Sequence, residues 1–319
     1  MLRRLLALVL TVLSAAAFAQ GYPNRPVRFV VAYPPGGTSD LVGRVLAQEM
    51  TKRFGHNFVV ENKTGAGGQI GTDAVAKSEP DGYTILIAAS GPISYLPALA
   101  AQMPYDIRKD FATVGNIVTV PNLMIVNAGS SVKSLNDLAA LARKKPGDVH
   151  FGSAGVGSSG HIAGELFKLL TETSMVHVPY RGSGPAIVGL LGGEIEVMFE
   201  NLPSALTQVR SGKLRGIAVL SPKRSPSAPD FPATAELDMP ELTIASSTGL
   251  LVPAGTPREA ISALESALKA ISVSPEATQK FMALGADIDF MDAARYRVYI
   301  DDEIARWAKV GQRAQITLK

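Results

Sequence analysis

From Val27 the chain alternates two hydrophobic periods. Val27–Ala32 is a continuous apolar run, the pattern of a parallel strand buried on both faces, and Leu41–Phe54 follows with apolar positions at helical spacing. Phe58–Glu61 reads as a short strand, GAGGQIGTDAVAKS as a glycine-rich loop opening a second helix, and Tyr83–Ala88 as another buried strand. A long β-rich stretch, Val114–Val126, is interrupted by Pro121. A second series then begins, with helices at Leu135–Lys144, Gly160–Leu170 and Ala186–Leu191. Its strands are Val149–Gly152, Met175–Val178, Val197–Phe199 and Ile217–Leu220. The Pro- and Ser-rich SPKRSPSAPDFPATAE is a loop, Thr243–Val252 is extended, and Pro257–Ile271, Pro275–Leu284 and Ala293–Gln312 are helical.

Strand–helix alternation predicts α/β architecture, with mostly parallel sheets flanked by helices. Two series and two extended crossings, near Leu123 and Ser247, predict two lobes: residues 20–123 with 248–319, and residues 124–247. The C-terminal helices are expected to pack back on the first lobe.

Two glycine-rich elbows stand where a strand gives way to a helix. In PPGGTSD, Pro34 and Pro35 stop the strand, Gly36 and Gly37 permit close backbone approach, and Thr38, Ser39 and Asp40 suit the start of a helix. RGSG at Arg181–Gly184 is a partial echo: Arg181 offers a guanidinium fork, and Gly182, Ser183 and Gly184 offer backbone and hydroxyl donors. The first N–H groups of a helix lack intrahelical partners and carry partial positive charge, so each elbow is suited to a carboxylate or phosphate. One elbow on each lobe would grip a single anion. Asp40 is ambiguous, since its charge repels a carboxylate unless it serves as a cap or accepts from a ligand donor.

The third loop, FGSAGVGSSGHIAGE, matches the glycine spacing of a dinucleotide fingerprint at Gly155, Gly157 and Gly160, yet no acidic residue ends the next strand to hold a ribose. It reads better as a wall of donors, Ser153, Ser158 and Ser159. There is no Gly-x-Ser-x-Gly elbow, which weighs against a hydrolase built on Ser39 or Ser158. His161 and Glu165 lack the further ligands a zinc site requires, and His161 is expected to hydrogen-bond within the first helical turn. No catalytic residue, metal or cofactor is expected.

Composition sharpens the picture. Net charge is +3 over 319 residues, and two of the 31 basic side chains, Arg3 and Arg4, lie at the extreme start, so no basic face for nucleic acid is expected. Met1–Ala19 has a basic start, an apolar stretch and a small-residue end, the pattern of a secretory signal peptide cleaved before Gln20. With no Cys, no lipid anchor follows it. A free, soluble periplasmic protein is the expectation.

Nine blocks in order, among them VRFVVAYPPGGTSDLVGR, ENKTGAGGQIG, FGSAGVGSSGHIAGELF, VPYRGSGPAI and LLGGEIEVMFENLPSAL, resemble the substrate-binding receptors of tripartite tricarboxylate transporters, the Bug or TctC-like proteins. The resemblance spans nearly all of the mature chain. It implies a Venus-flytrap fold of the type II periplasmic-binding-protein kind. It also implies a small organic acid as ligand (a di- or tricarboxylate, an acidic amino acid or an aromatic acid) and a membrane partner of one large and one small subunit. It implicates Tyr33 to Asp40 with Pro35 among them, the loop of Ser90 and Gly91, the stretch from Ser153 through Ala154 and Gly155 to Ser159 with His161, Arg181 to Gly184, and Asn201. Where many relatives carry an aromatic, this chain has Ser246-Ser247-Thr248 before Gly249. A monomeric receptor is expected, with a sensor for a signalling partner or a secreted hydrolase as the alternatives.

Overall fold

The structure, a computed structural model, describes residues 21–314, 316 and 318; the signal-peptide assignment lies outside them. In the first lobe, strands β1 (Val27–Val31), β2 (Phe58–Asn62) and β3 (Thr84–Ala89) run parallel in the order β2-β1-β3. Helices α1 (Thr38–Phe54) and α2 (Gln69–Ala76) connect them. The first helix buries Val42, Leu46 and Met50, spaced by four, on β1 and β3. Gly43 lets the backbones approach: a Cβ there would stand 3.3 Å from Val31 Cγ2. Gly55, at φ 71°, ends the helix in the left-handed conformation that glycine adopts without strain.

A π-helical turn, Gly91–Tyr95, and the short α3 (Leu96–Leu99) follow β3. The long strand β4 (Phe111–Asn127) then passes through both lobes. The second lobe holds α4 (Leu135–Lys144), β5 (His150–Ser153), α5 (Ser159–Thr171), β6 (Val176–Pro179), α6 (Ser183–Gly192), β7 (Val197–Asn201), α7 (Leu202–Arg210) and β8 (Leu214–Val219). Here β6, β5 and β7 are parallel, while β4 pairs antiparallel with both β7 and β8. The return strand β9 (Ala245–Pro253) lies antiparallel between β3 and β4.

Pro121 does not interrupt β4. It pairs with Ala245 on β9, and from Asn122 onward β4 takes β7 and β8 as partners. The proline, which has no N–H to give a ladder, occupies the changeover point between two sheets, where that donor is not missed. This division gives two α/β lobes joined by two adjacent strands.

Helices α8 (Arg258–Ser272) and α9 (Pro275–Leu284) bury Leu264, Leu268 and Phe281 in the first lobe's core. A strand absent from the sequence reading, β10 (Asp287–Asp292), completes the edge of β4. The last helix, α10 (Ala293–Ala314), goes further than expected: Tyr296 and Ile300 join the first lobe, whereas Trp307 sits with Tyr95 in the cluster that includes Phe151 and Phe167 of the second.

Candidate functional site

The first elbow meets the second lobe face to face. Thr38 Oγ1 donates to Ser204 Oγ at 3.2 Å, a Cβ at Gly182 would stand 2.8 Å from Pro34 Cγ, and a Cβ at Gly67 would overlap the Val156 carbonyl oxygen. The lobes are therefore closed on one another. Between them is a cavity of about 30 Å³, enough for one or two waters or a carboxylate group, beside an open cleft of about 890 Å³. Tyr33, Pro34 and Ala154 line both spaces.

Four helix starts converge on the small cavity: Gly37, Thr38 and Ser39 of α1, Ser158, Ser159 and Gly160 of α5, Ser183 of α6, and Asn201 at the head of α7. Neither Gly37 nor Gly182 supplies a side-chain cap, so the first N–H groups of α1 and α6 are left for another acceptor. Ser159 donates to Asn201 Oδ1 at 2.8 Å while accepting from Asn122 Nδ2 at 3.2 Å. That fixes the Asn201 amide with its NH2 unpaired. Convergent helix dipoles and free donors are electrostatically suited to a small anion.

Other expected residues stand behind this wall. Asp40 is buried and its carboxylate is taken: Gly36 N and Arg44 Nε donate to Oδ2 at 2.9 and 3.0 Å, and Asn62 Nδ2 donates to Oδ1 at 2.9 Å. Burial opposes its charge, but the bonds from Arg44, Gly36 and Asn62 prevail and hold its pKa below the usual carboxylate range. Asp40 thus ties down the elbow, and Gly36 and Pro35 serve that turn without lining either space. Ser90 Oγ accepts from Ser247 N at 2.8 Å and shares a hydrogen with Ser247 Oγ, leaving its neighbour Gly91 to reach the cavity. Of the three hydroxyl residues before Gly249, Ser246 alone lines the cavity. Gly184 is exposed and lines neither space, whereas Gly155, Arg181 and Gly182 line the larger cleft.

The loop from Ser153 to Ser158 rests on stacked rings. His161 and His177 lie 3.7 Å apart and 10° from parallel, and Phe151 stacks on His177 at 5.0 Å. Ring nitrogen Nδ1 of His161 accepts from Gly157 N at 3.2 Å, and Nε2 of His177 bonds Ser153 Oγ at 2.7 Å. Both histidines therefore position the loop from below, and neither His161 nor Ser153 lines the cavity. Burial lowers the His161 pKa to about 4, with Lys168 adding. Burial, then His161 and Lys168, lower His177 to about 3. The folded protein keeps both rings neutral while the unfolded chain takes up protons below about pH 6.5. Stability should therefore decline as pH falls from 6.5 toward 4, and be insensitive to these groups above 6.5. Thermal melts at pH 4.5 and 7.5 check this: His177→Gln should lose less between the two than the natural protein.

Sequence reasoning missed several wall residues. Glu200 of β7 and Gly160 line the cavity, and the loop Thr64–Gln69 lines the cleft. The GAGG run was a legible signal, since it repeats the glycine-before-helix pattern of the elbows; Glu200 carried none.

Two α/β lobes closing over converging helix starts have the architecture of the Venus-flytrap class of solute receptors. The chain belongs to the tripartite tricarboxylate transporter receptor family, whose family model matches residues 42–316. It is 38% identical over 308 residues to protein BugT of Bordetella pertussis, covering 96% of this chain and 94% of that one. Among solved structures it resembles Rpa4515 of Rhodopseudomonas palustris with adipate (TM-score 0.90, 34% identity, 93% of this chain and 99% of that). It also resembles MatC of the same organism with bound malate (TM-score 0.86, 28% identity, 91% and 99%).

Proposed function

We propose that this receptor captures a small organic acid in the periplasm and delivers it to a tripartite tricarboxylate membrane transporter with one large and one small subunit. The observation that carries the reading is the convergence of four helix starts on a cavity of carboxylate size, with the wider cleft beside it for the rest of the solute. Adipate and malate in two relatives support a carboxylate ligand. Gly37, Thr38, Ser39, Ser158, Ser159, Ser183 and Asn201 would hold the carboxylate, and Tyr33, Ala154 and Arg181 the remainder. The partner change of β4 at Asn122 supports a division into lobes of 20–123 with 248–319 and 124–247.

The secretory signal pattern at 1–19 supports export to the periplasm. No helix among the described residues is long and apolar enough to cross a membrane. A secreted hydrolase is disfavoured by the histidines: His161 and His177 are bonded to the loop and lie outside the cavity wall that Ser39 and Ser158 share.

A panel of mono-, di- and tricarboxylates and aromatic acids, screened by thermal shift, tests the reading. One class should raise Tm in a concentration-dependent way, because a ligand specific to the native state stabilises it. Calorimetry should then show one solute bound per chain and recovered unchanged. No shift with any acid, or conversion of the solute, would overturn the proposal.

A further inference from the structure

The carboxylate cradle contains a carboxyl group of its own. Glu200 is 3% exposed, lines the small cavity, and forms no ion pair among the described residues. Its bonds are one-sided. Ser183 Oγ at 3.0 Å, Ser204 Oγ at 2.5 Å and Asn201 N at 3.1 Å all donate to Oε1, and Oε2 has no partner. Oε1 is saturated with donors, so Oε2 is the oxygen left facing the cavity, where a hydroxyl would have a solute acceptor within reach.

Among the described residues no cation pairs with Glu200. Tyr33 is the titratable group facing Glu200 from the first lobe, and its phenol donates to Gly67 O at 3.0 Å. Asp40 on α1 is held by Arg44 and Asn62, His161 on α5 by Gly157, and His177 on β6 by Ser153. Arg181 lines the outer cleft, outside the small cavity. With no cation between them, two carboxylates in one cavity of about 30 Å³ repel, which raises the proton affinity of the pair.

We propose that in the complex Glu200 bears a proton on Oε2 and offers it as a hydrogen bond to the bound solute's carboxylate, so that wherever free Glu200 is ionised the receptor takes up its anion together with one proton. The inference rests on the receptor reading given above. In that range the proton comes from solvent, no covalent bond to the solute forms or breaks, and the complex carries one more positive charge than its separated parts; where free Glu200 is already protonated, no proton is taken up. Burial raises the Glu200 pKa, against the opposing bonds from Ser204, Ser183 and Asn201, which is the direction this requires. Through Thr38, which bonds Ser204, the same hydroxyl chain joins the protonated group to the opposite lobe.

The test is calorimetry of the natural protein and of Glu200→Gln from pH 5 to 10, with whichever of malate, citrate, adipate and benzoate binds tightest, in two buffers of different ionisation enthalpy. Gln keeps an acceptor for the three donors and an N–H in place of the acid O–H. The natural protein should take up close to one proton per solute where its affinity falls, by up to about tenfold per pH unit. The variant should bind with no such fall and no proton uptake. Equal pH profiles in the two proteins would overturn the inference, and so would no proton uptake by the natural one at any pH, a result that stands even if the variant is misfolded. Affinity that instead falls toward low pH and vanishes in the variant would also overturn it, marking Glu200 as an anion for a cationic solute. Absence of binding by both proteins to all four acids would overturn the receptor reading itself.

Discussion

A Gly37→Asp protein is expected to melt at or slightly above the temperature of the natural protein and to bind no carboxylate. Gly37 is the N-cap of α1 at φ −78°, ψ 166°, a conformation open to any residue. A Cβ there would meet Pro34 O at 3.6 Å and Ser183 Oγ at 3.7 Å, ordinary contact distances. Aspartate caps a helix better than glycine by a few tenths of a kcal/mol, so the fold gains if it changes at all. The new carboxylate would accept the first free N–H groups of α1 and face Ser183, filling the place a solute carboxylate needs. A loss of affinity of at least about a hundredfold follows from placing like charges in one small site. Gly37→Asn, of nearly the same size without the charge, should lose much less. Calorimetry on both variants decides it: unchanged affinity in Gly37→Asp would remove the first elbow from the site.

The largest effect on stability is expected from Trp307→Ala, about 3–5 kcal/mol by thermal or denaturant unfolding. Trp307 is fully buried, meets Tyr95 edge-to-face at 5.3 Å, and donates through Nε1 to Glu303 Oε2 at 2.8 Å. Truncation opens a cavity where α10 reaches the second lobe's core and leaves the buried Glu303 short of a donor. Trp307→Phe should cost less, because the aromatic contact survives and only the bond and part of the volume are lost. A cost below about 1 kcal/mol for the alanine variant would show that the cluster around Tyr95 can collapse on itself.

The parts of the site that were legible in the sequence are those made by local chemistry. Proline and glycine stopping a strand, with hydroxyls following, announced both elbows, because a turn and a helix start are decided by neighbouring residues. Asp40 shows where this ends. Its partner Arg44, one helical turn on, is a local pairing, but Asn62 comes from the next strand, and both were needed to see that its charge is spent inside the elbow. Glu200 was illegible altogether: in VMFEN it is a single acid at the end of an apolar run, and its meaning comes from Ser183, Ser204 and Thr38 on three different helices. The same holds for β10, whose acidic DIDFMD has weak strand character and forms because β4 offers it an edge. Trp307 was placed on the right helix, but nothing along the chain tells that the helix spans the seam between lobes.

The two connecting strands also constrain how the lobes can move. Because β4 and β9 are paired from Phe111↔Pro253 to Pro121↔Ala245, neither can slide along the other without turning every side chain to the wrong face. Bending and twisting remain; translation does not. The joint is therefore a mechanical linkage with few degrees of freedom, and it holds Thr38 of one lobe in register with Ser204 of the other.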